Sequence, residues 1–257
     1  MLSKNQISHI RSLHQKKYRD ELNLFIAEGE KVVSELATSH FKIHSVYTTQ
    51  DGAYSKLVAN AGKAYSVELI KDSELEKISA LTTPQGVLGV AEIPKPSLVS
   101  EINTKQLILV LDEIKDPGNL GTIIRIADWF GFEDIVCSEN SADAFSPKVV
   151  QAAMGSLFRM NVFYADLPAF LNQVAVADKL PVYGTLLKGE NIYKANLNKR
   201  GCIVVGNESK GISAAVLPFI TDKISIPSFS KGKTDSLNAA MAAAIVCSEF
   251  RRRFEVG

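Results

Sequence analysis

Short apolar runs alternate with amphipathic stretches along this chain, and the alternation is most regular after residue 106. Leu107-Ile108-Leu109-Val110-Leu111 is a run of branched residues with the length of a strand buried on both faces. Asp116-Pro117-Gly118-Asn119 follows as a dense turn signal. Ile123, Ile126, Ala127 and Phe130 then recur at i, i+3, i+4 and i+7, which predicts one face of a helix. Asn119 stands at its expected N-cap, Gly131 is placed to stop it, and Gly121 and Arg125, four apart, share a face. Further strands are expected over 135–137, 182–186, 202–205 and 223–226. Helices are expected from Pro147 to Gly155 with Ser146 as N-cap, over 167–178, and over 236–254. Strands alternating with helices in this way predict a parallel sheet.

The earlier part of the chain has a different rhythm. Ile7, Ile10 and Leu13 fall at helical spacing, and Leu24-Phe25-Ile26-Ala27 is an apolar run. A helix is expected over 29–36, a strand over 46–49, and a short helix behind a capping box of Ser73 and Glu76. Thr83-Pro84-Gln85-Gly86 is a turn leading into a strand over 87–93. This predicts a small α/β sandwich of residues 1–95, joined by a linker at Pro94-Lys95-Pro96-Ser97 to a second unit of residues 96–257.

The chain has 257 residues, 46% apolar and 22% charged, as in a soluble globular protein. Its net charge of +1 attracts no polyanion by itself, so any nucleic-acid contact must come from a local patch. One candidate is the opening, where Lys4, Arg11, Lys16, Lys17 and Arg19 precede the first acid, Asp20. Such a run is either a solvated helix face or a set of phosphate contacts to RNA, with Arg11, Lys16, Lys17 and Arg19 as contacts. Cys137, Cys202 and Cys247 are widely spaced, which suits free thiols in a reducing compartment and gives no metal-site pattern. Without a leader-like or spanning apolar segment, a cytoplasmic protein with no membrane and no metal is expected.

Two more glycine-polar turns follow strands. Gly206-Asn207-Glu208-Ser209-Lys210-Gly211 comes directly after Val205, and a polar loop from Ser228 runs to Ser236-Leu237-Asn238. Three such loops at strand ends can line one crevice. Several chemistries are excluded. Pro227 stands where a P-loop ending in Gly232-Lys233-Thr234 needs its first glycine. No strand is followed by G-x-G-x-x-G, and no G-x-S-x-G elbow is present. All four histidines lie before residue 45, which leaves the second unit without a histidine base.

Taken in order, Asn119-Leu120-Gly121 with Arg125, Gly206 through Gly211 with Glu208, and Ser236-Leu237-Asn238 resemble the three motifs of the SpoU (TrmH-like) family of RNA 2'-O-ribose methyltransferases, in the SPOUT class. Phe25-Ile26-Ala27-Glu28-Gly29 and Thr83 through Leu88 are similar to the family's L30e-like substrate-binding domain. The resemblance implies an α/β protein: a small L30e-like domain, then a parallel-sheet SPOUT domain whose C-terminal segment forms a trefoil knot. It implies S-adenosylmethionine as cofactor, bent within the knot and held largely by backbone groups at Leu186, Gly206, Ile226 and Leu237. It also implies a homodimer with the site near the dimer interface. The loop between Ile226 and Ser236 is about two residues longer than in many relatives.

Within that resemblance the catalytic set is Asn119, Arg125, Glu208, Ser236 and Asn238. Arg125 is the family's proposed base, yet a guanidinium stays protonated, so phosphate binding and alkoxide stabilisation describe its chemistry better. Glu208 is expected to orient Arg125 or Asn119, and Ser236 also suits an N-cap. The implied activity is methyl transfer to a ribose 2'-hydroxyl of structured RNA, ribosomal favoured over transfer RNA. A catalytically inactive RNA-binding module of the same fold is the alternative.

Overall fold

The computed structural model describes residues 1–49, 65–95, 101–230 and 236–254. In chain order the first elements are α1 (Lys4–Ser12), α2 (Lys16–Leu22), β1 (Leu24–Glu28), α3 (Glu30–Ala37), β2 (Ile43–Thr48), β3 (Ser66–Leu69), α4 (Asp72–Ile78) and β4 (Val87–Glu92). Then come β5 (Leu107–Leu111), α5 (Pro117–Trp129), β6 (Asp134–Ser138), α6 (Pro147–Ala153), β7 (Asn161–Ala165) and α7 (Leu167–Asn172). The last are β8 (Val182–Asn191), β9 (Gly201–Val205), β10 (Asp222–Ser225) and α8 (Ala239–Phe254). Two compact units emerge: Met1–Lys95 with Asp143–Arg159, and Pro96–Ala142 with Met160–Gly257. Part of the expected linker, Pro96-Ser97, lies outside the described residues, as do residues 231–235 of the long loop.

The first unit is a four-stranded sheet in the order β1-β4-β2-β3, with β4 antiparallel to both neighbours and β2 parallel to β3. Ile10 and Leu13 join Ile26, Leu75, Ile78 and Leu88 in its core, and Ile7 packs at the margin. Helix α4 starts one residue before the expected cap. Glu74, not Glu76, reaches back, accepting the Lys71 N–H at 3.1 Å, and Ser73 lies inside the helix.

Segment 143–159 was expected in the second unit but packs into the first. It brings Phe145 and Phe158 against Phe25 and Phe41, with ring centroids 5.2 Å apart for Phe25–Phe145 and for Phe41–Phe158. It also corrects the reading of Arg19. That residue is 2% exposed, its Nη2 lies 2.5 Å from Asp143 and its Nη1 donates to the Leu13 carbonyl at 2.8 Å. A guanidinium buried and paired in this way is structural, so Arg19 leaves the set of RNA contacts. Arg11 and Lys17 are exposed, and Lys16 pairs with Asp20 at 2.9 Å on the surface.

The second unit is a six-stranded sheet in the order β10-β8-β9-β5-β6-β7, and every pairing is parallel. Strands β5 and β9 are buried along their whole length, as their unbroken apolar runs require. Strand β8 is longer than expected, because its register with β10 jumps from Lys223↔Gly184 to Ile224↔Glu190. On α5 the buried stripe is Leu120, Ile123, Ile124 and Ala127, displaced from the expected stripe. Gly121 is therefore buried and Arg125 exposed, so the two do not share an environment. The expected helix over 167–178 is α7 followed by a π-helical turn, Gln173–Ala177. The three cysteines are free and buried, and burial pushes the Cys137 and Cys247 thiols up to about 12. Among the described residues no helix is long and apolar enough to cross a membrane.

Near the C-terminus Glu249, 4% exposed, receives Arg252 at 2.7 Å and Arg253 at 2.7 Å. Arg253 in turn donates to the carbonyls of Ile192, Tyr193 and Ala195. Hydrogen bonds from Arg252, and then Arg253, hold the Glu249 carboxyl at about 2 against the cost of burial.

Asp143→Ala is expected to destabilise the protein by about 3 kcal/mol, because it leaves a buried guanidinium unpaired. Asp20→Ala, which breaks an exposed pair, is expected to cost under about 1 kcal/mol. Urea unfolding of both variants checks the contrast, and equal effects would refute the structural role of Arg19.

Because the folded carboxyl of Glu249 is depressed, its stabilisation is present above the unfolded value near 4.5 and is lost as pH falls toward about 2. Thermal unfolding of the parent and Glu249→Gln from pH 7 to pH 2 is expected to show a gap that closes across that window. A gap that persists at pH 2 would contradict the depressed carboxyl.

Candidate active site

Strand β5 sits at the centre of the second sheet, between β6 and β9. From β5 the chain runs outward through β6 to β7, then returns on the other side, where β9 pairs with β5. That reversal of strand order is where open parallel sheets place ligands, at the carboxyl ends. The register aligns Leu111 with Val205, and the Asp112 N–H extends the ladder to the Val205 carbonyl at 2.9 Å. The loops after β5 and β9 therefore leave the sheet side by side.

Local sequence sets how each loop presents its side chains. Asp116 is the N-cap of α5, its carboxylate accepting the Asn119 N–H at 2.8 Å, with Pro117 in the first turn. Asn119 is thus the third helical residue rather than the cap, and its side-chain amide is free for other partners. Its Nδ2 donates to Glu208 Oε1, and its Oδ1 accepts from Asn238 Nδ2 at 2.9 Å. Asn238 also begins α8, its Oδ1 accepting the Ala240 and Met241 N–H groups at 2.9 and 3.3 Å. The cap expected at Ser236 is therefore Asn238, and Ser236 is exposed two residues ahead of it. One amide, that of Asn119, joins all three polar loops.

The loop after β9 is closed on itself. Asn207 and Gly211 exchange backbone hydrogen bonds at 3.0 and 2.8 Å, and Asn207 Oδ1 accepts the N–H groups of Ser209 and Lys210 at 3.0 and 3.1 Å. Asn207 Nδ2 donates to the Glu113 carbonyl at 2.9 Å, tying this loop to the one after β5. A Cβ at Gly206 would overlap the backbone of Gly211 and Ile212, so only glycine allows this closure. Asn207 was missed from sequence. The signal for it was its place directly after a strand-terminal glycine, where an Asx turn is favoured.

Glu208 therefore orients Asn119, not Arg125. Arg125 lies six residues further along α5, exposed, and forms no hydrogen bond or ion pair with a described residue. Its guanidinium fork remains available to a ligand. Gly206 and Ile226 directly follow β9 and β10, Leu186 lies within β8 between its two stretches of pairing with β10, and Leu237 precedes α8 with 46% exposure. Leu186 is half-buried against the sheet's core. Among the described residues no cluster of three His, Cys, Asp or Glu side chains suits a metal ion.

The model of the SpoU rRNA Methylase family matches residues 106–248, more than half of the chain. The chain belongs to this family. An MRM3-like substrate binding domain matches residues 4–89. A curated relative, the 23S rRNA (guanosine(2553)-2'-O)-methyltransferase RlmP of Bacillus subtilis, is 30% identical over 97% of each chain. A TrmH-family protein of known structure from Porphyromonas gingivalis is 37% identical, with a TM-score of 0.87 over 98% of this chain and 99% of that one. An AdoMet-bound rRNA methyltransferase from Sinorhizobium meliloti is 31% identical, with a TM-score of 0.83 over 100% of this chain and 97% of that one. The expected SpoU resemblance and α/β fold class are thereby borne out.

Gly206→Ala is expected to destabilise the SpoU domain by about 1–3 kcal/mol, because the added methyl meets backbone that has nowhere to move. At Gly211, whose φ is +70° but whose Cβ position is open, Ala is expected to cost about 1–2 kcal/mol through backbone strain alone. Chemical unfolding distinguishes them by the Gly206→Ala, Gly211→Ala double variant. Relief of the Gly206 clash by Gly211→Ala would show that the loop is not rigidly closed.

Proposed function

We propose that this protein transfers a methyl group from S-adenosylmethionine to a ribose 2'-hydroxyl of ribosomal RNA. The observation that carries the reading is the junction at Asn119, where one amide connects Glu208 and Asn238 and so joins the three SpoU motifs, which lie in the loops after β5, β9 and β10. Arg125 stands near that junction in sequence and pairs with no described residue. An inactive RNA-binding relative has no chemical need to keep this set together.

The residues present fit the cofactor. Gly206 and Ile226 directly follow β9 and β10, Leu186 lies on β8 between those two strands, and with Leu237 they offer apolar surface and backbone groups. S-adenosylmethionine supplies an electrophilic methyl group on its sulfonium when bound. Arg125 holds a phosphate of the target nucleotide through its planar fork and stabilises the alkoxide that develops as the hydroxyl releases its proton to solvent and its oxygen takes the methyl group. Glu208 and Asn238 hold Asn119, and the exposed Ser236 is assigned to positioning ribose or cofactor.

The same reading extends to the rest of the protein. The first unit supplies RNA affinity through the exposed Arg11, Lys16 and Lys17. A homodimer is proposed, with its contact surface near the site, and a cytoplasmic location matches a ribosomal RNA substrate. A knotted C-terminal segment is proposed as well. Its support is that the chain leaves β10 at one edge of the sheet, yet α8 packs against α5 and β9.

The test is incorporation of labelled methyl into ribosomal RNA from cells lacking the protein. Arg125→Ala is expected to reduce incorporation by about 100-fold or more while S-adenosylmethionine affinity stays within a few-fold of the parent. Arg125→Lys is expected to fail as well, because a point charge does not reproduce a planar fork. A parallel collapse of cofactor affinity in Arg125→Ala would place Arg125 in the cofactor pocket and refute its RNA-facing role.

For the first unit, an Arg11→Ala, Lys16→Ala, Lys17→Ala variant is expected to bind all RNAs more weakly. Its log–log salt slope should flatten by about 0.7–0.9 for each phosphate that is no longer neutralised. An unchanged slope would show these charges to be a solvated face only.

A further inference from the structure

Asp112 is the first residue beyond β5, and it is 2% exposed. A carboxylate removed from water requires a partner, and this one has a partner across the site. Its Oδ2 accepts the backbone N–H of Ser213 at 2.6 Å, while its own N–H donates to the Val205 carbonyl at 2.9 Å. Val205 is the residue before Gly206, and Ser213 is two residues after Gly211. Asp112 therefore touches both ends of the loop that carries Glu208. The next residue reinforces this. The Glu113 carbonyl accepts Asn207 Nδ2 at 2.9 Å, and the Glu113 N–H is held by Ser138 Oγ at 2.9 Å. Glu113 itself takes a φ of +54°, so the chain turns sharply directly after Asp112 to make both contacts.

We propose that Asp112 is a positioning residue for the methyl-donor loop. Its carboxylate fixes the exit of the loop against the end of β5, and thereby sets where Gly206 and Glu208 stand. The loop closes internally through Asn207 and Gly211, which shapes it but does not orient it. Orientation comes from its ties to the β5 side, at Ser213, Asn207 and Glu208. Two of those three ties end on Asp112 or the residue after it. Asp112 acts through the loop and touches no reacting atom. The inference rests on the methyltransferase reading above, and its test separates the two.

The experiment is calorimetric titration of S-adenosylmethionine and of S-adenosylhomocysteine into the full chain, with thermal unfolding of each variant. Asp112→Asn keeps an oxygen facing the Ser213 N–H and is expected to bind both within about threefold of the parent. Asp112→Ala is expected to lose about tenfold or more for both, the scale of one hydrogen bond to a charged group. Should Asp112→Ala not fold, Asn207→Asp decides. It keeps the acceptors for Ser209 and Lys210, loses the donor to Glu113, and is expected to lose about tenfold. A folded Asp112→Ala that binds like the parent overturns the proposal. Equal impairment of the Ala and Asn variants, or parent-like binding by Asn207→Asp when it must decide, overturns it too. A parent protein that binds neither ligand instead defeats the methyltransferase reading.

Discussion

The pairing of β5 with β9 is the constraint on which the site depends. These strands are far apart in sequence, yet Leu107 to Leu111 lie opposite Gly201 to Val205 residue for residue. Both are buried along their length, so a one-residue slip would reverse which side chains face each layer of helices. That register places Asp112 beside Val205 and starts two polar loops from adjacent points. Everything chemical in the second unit follows from their proximity: the Asn119 amide reaches Glu208 on one side and Asn238 on the other. The hydrophobic core positions the chemistry although none of its residues takes part in it.

Much of this was legible in the sequence, because the signals were local. The run at 107–111 gave β5 with its observed boundaries, and Gly131 ends α5 with a φ of +64°. Local sequence does not decide which of several polar residues caps a helix. Asp116 and Asn119 both suit an N-cap, and so do Ser236 and Asn238; tertiary partners decide between them. Asn119 had to leave the cap to reach Glu208, whereas Asn238 serves both roles because its amide has a donor and an acceptor to divide. The buried stripe of α5 was misplaced for a similar reason. Helical spacing fits more than one face when apolar residues are plentiful, and only packing selects Leu120 and Ile124 over Ile126 and Phe130.

Arg19 shows what a charge run conceals. Counted in sequence it belongs with Lys16 and Lys17, but its ion-pair partner, Asp143, is 124 residues away. Segment 143–159, lying between two strands of the second unit, completes the core of the first with Phe145 and Phe158. A composition-based boundary at residue 95 has no means of finding a contribution returned from so far along the chain. The first unit's stability is therefore a property of more than its own contiguous sequence.

The chemistry assigned to Arg125 follows from what is missing around it. With no histidine in the second unit and a guanidinium that stays protonated, the site favours binding phosphate and stabilising an alkoxide over storing a proton. That chemistry is specific to ribose, and alkali tests it directly. Hydroxide cleaves RNA through the free 2'-hydroxyl, so a 2'-O-methyl group protects the adjoining phosphodiester. Ribosomal RNA from cells lacking the protein is incubated with the purified protein and methyl-labelled S-adenosylmethionine, then hydrolysed to completion. The account predicts label in alkali-resistant dinucleotides, whereas label in mononucleotides would place the methyl on a base and contradict it.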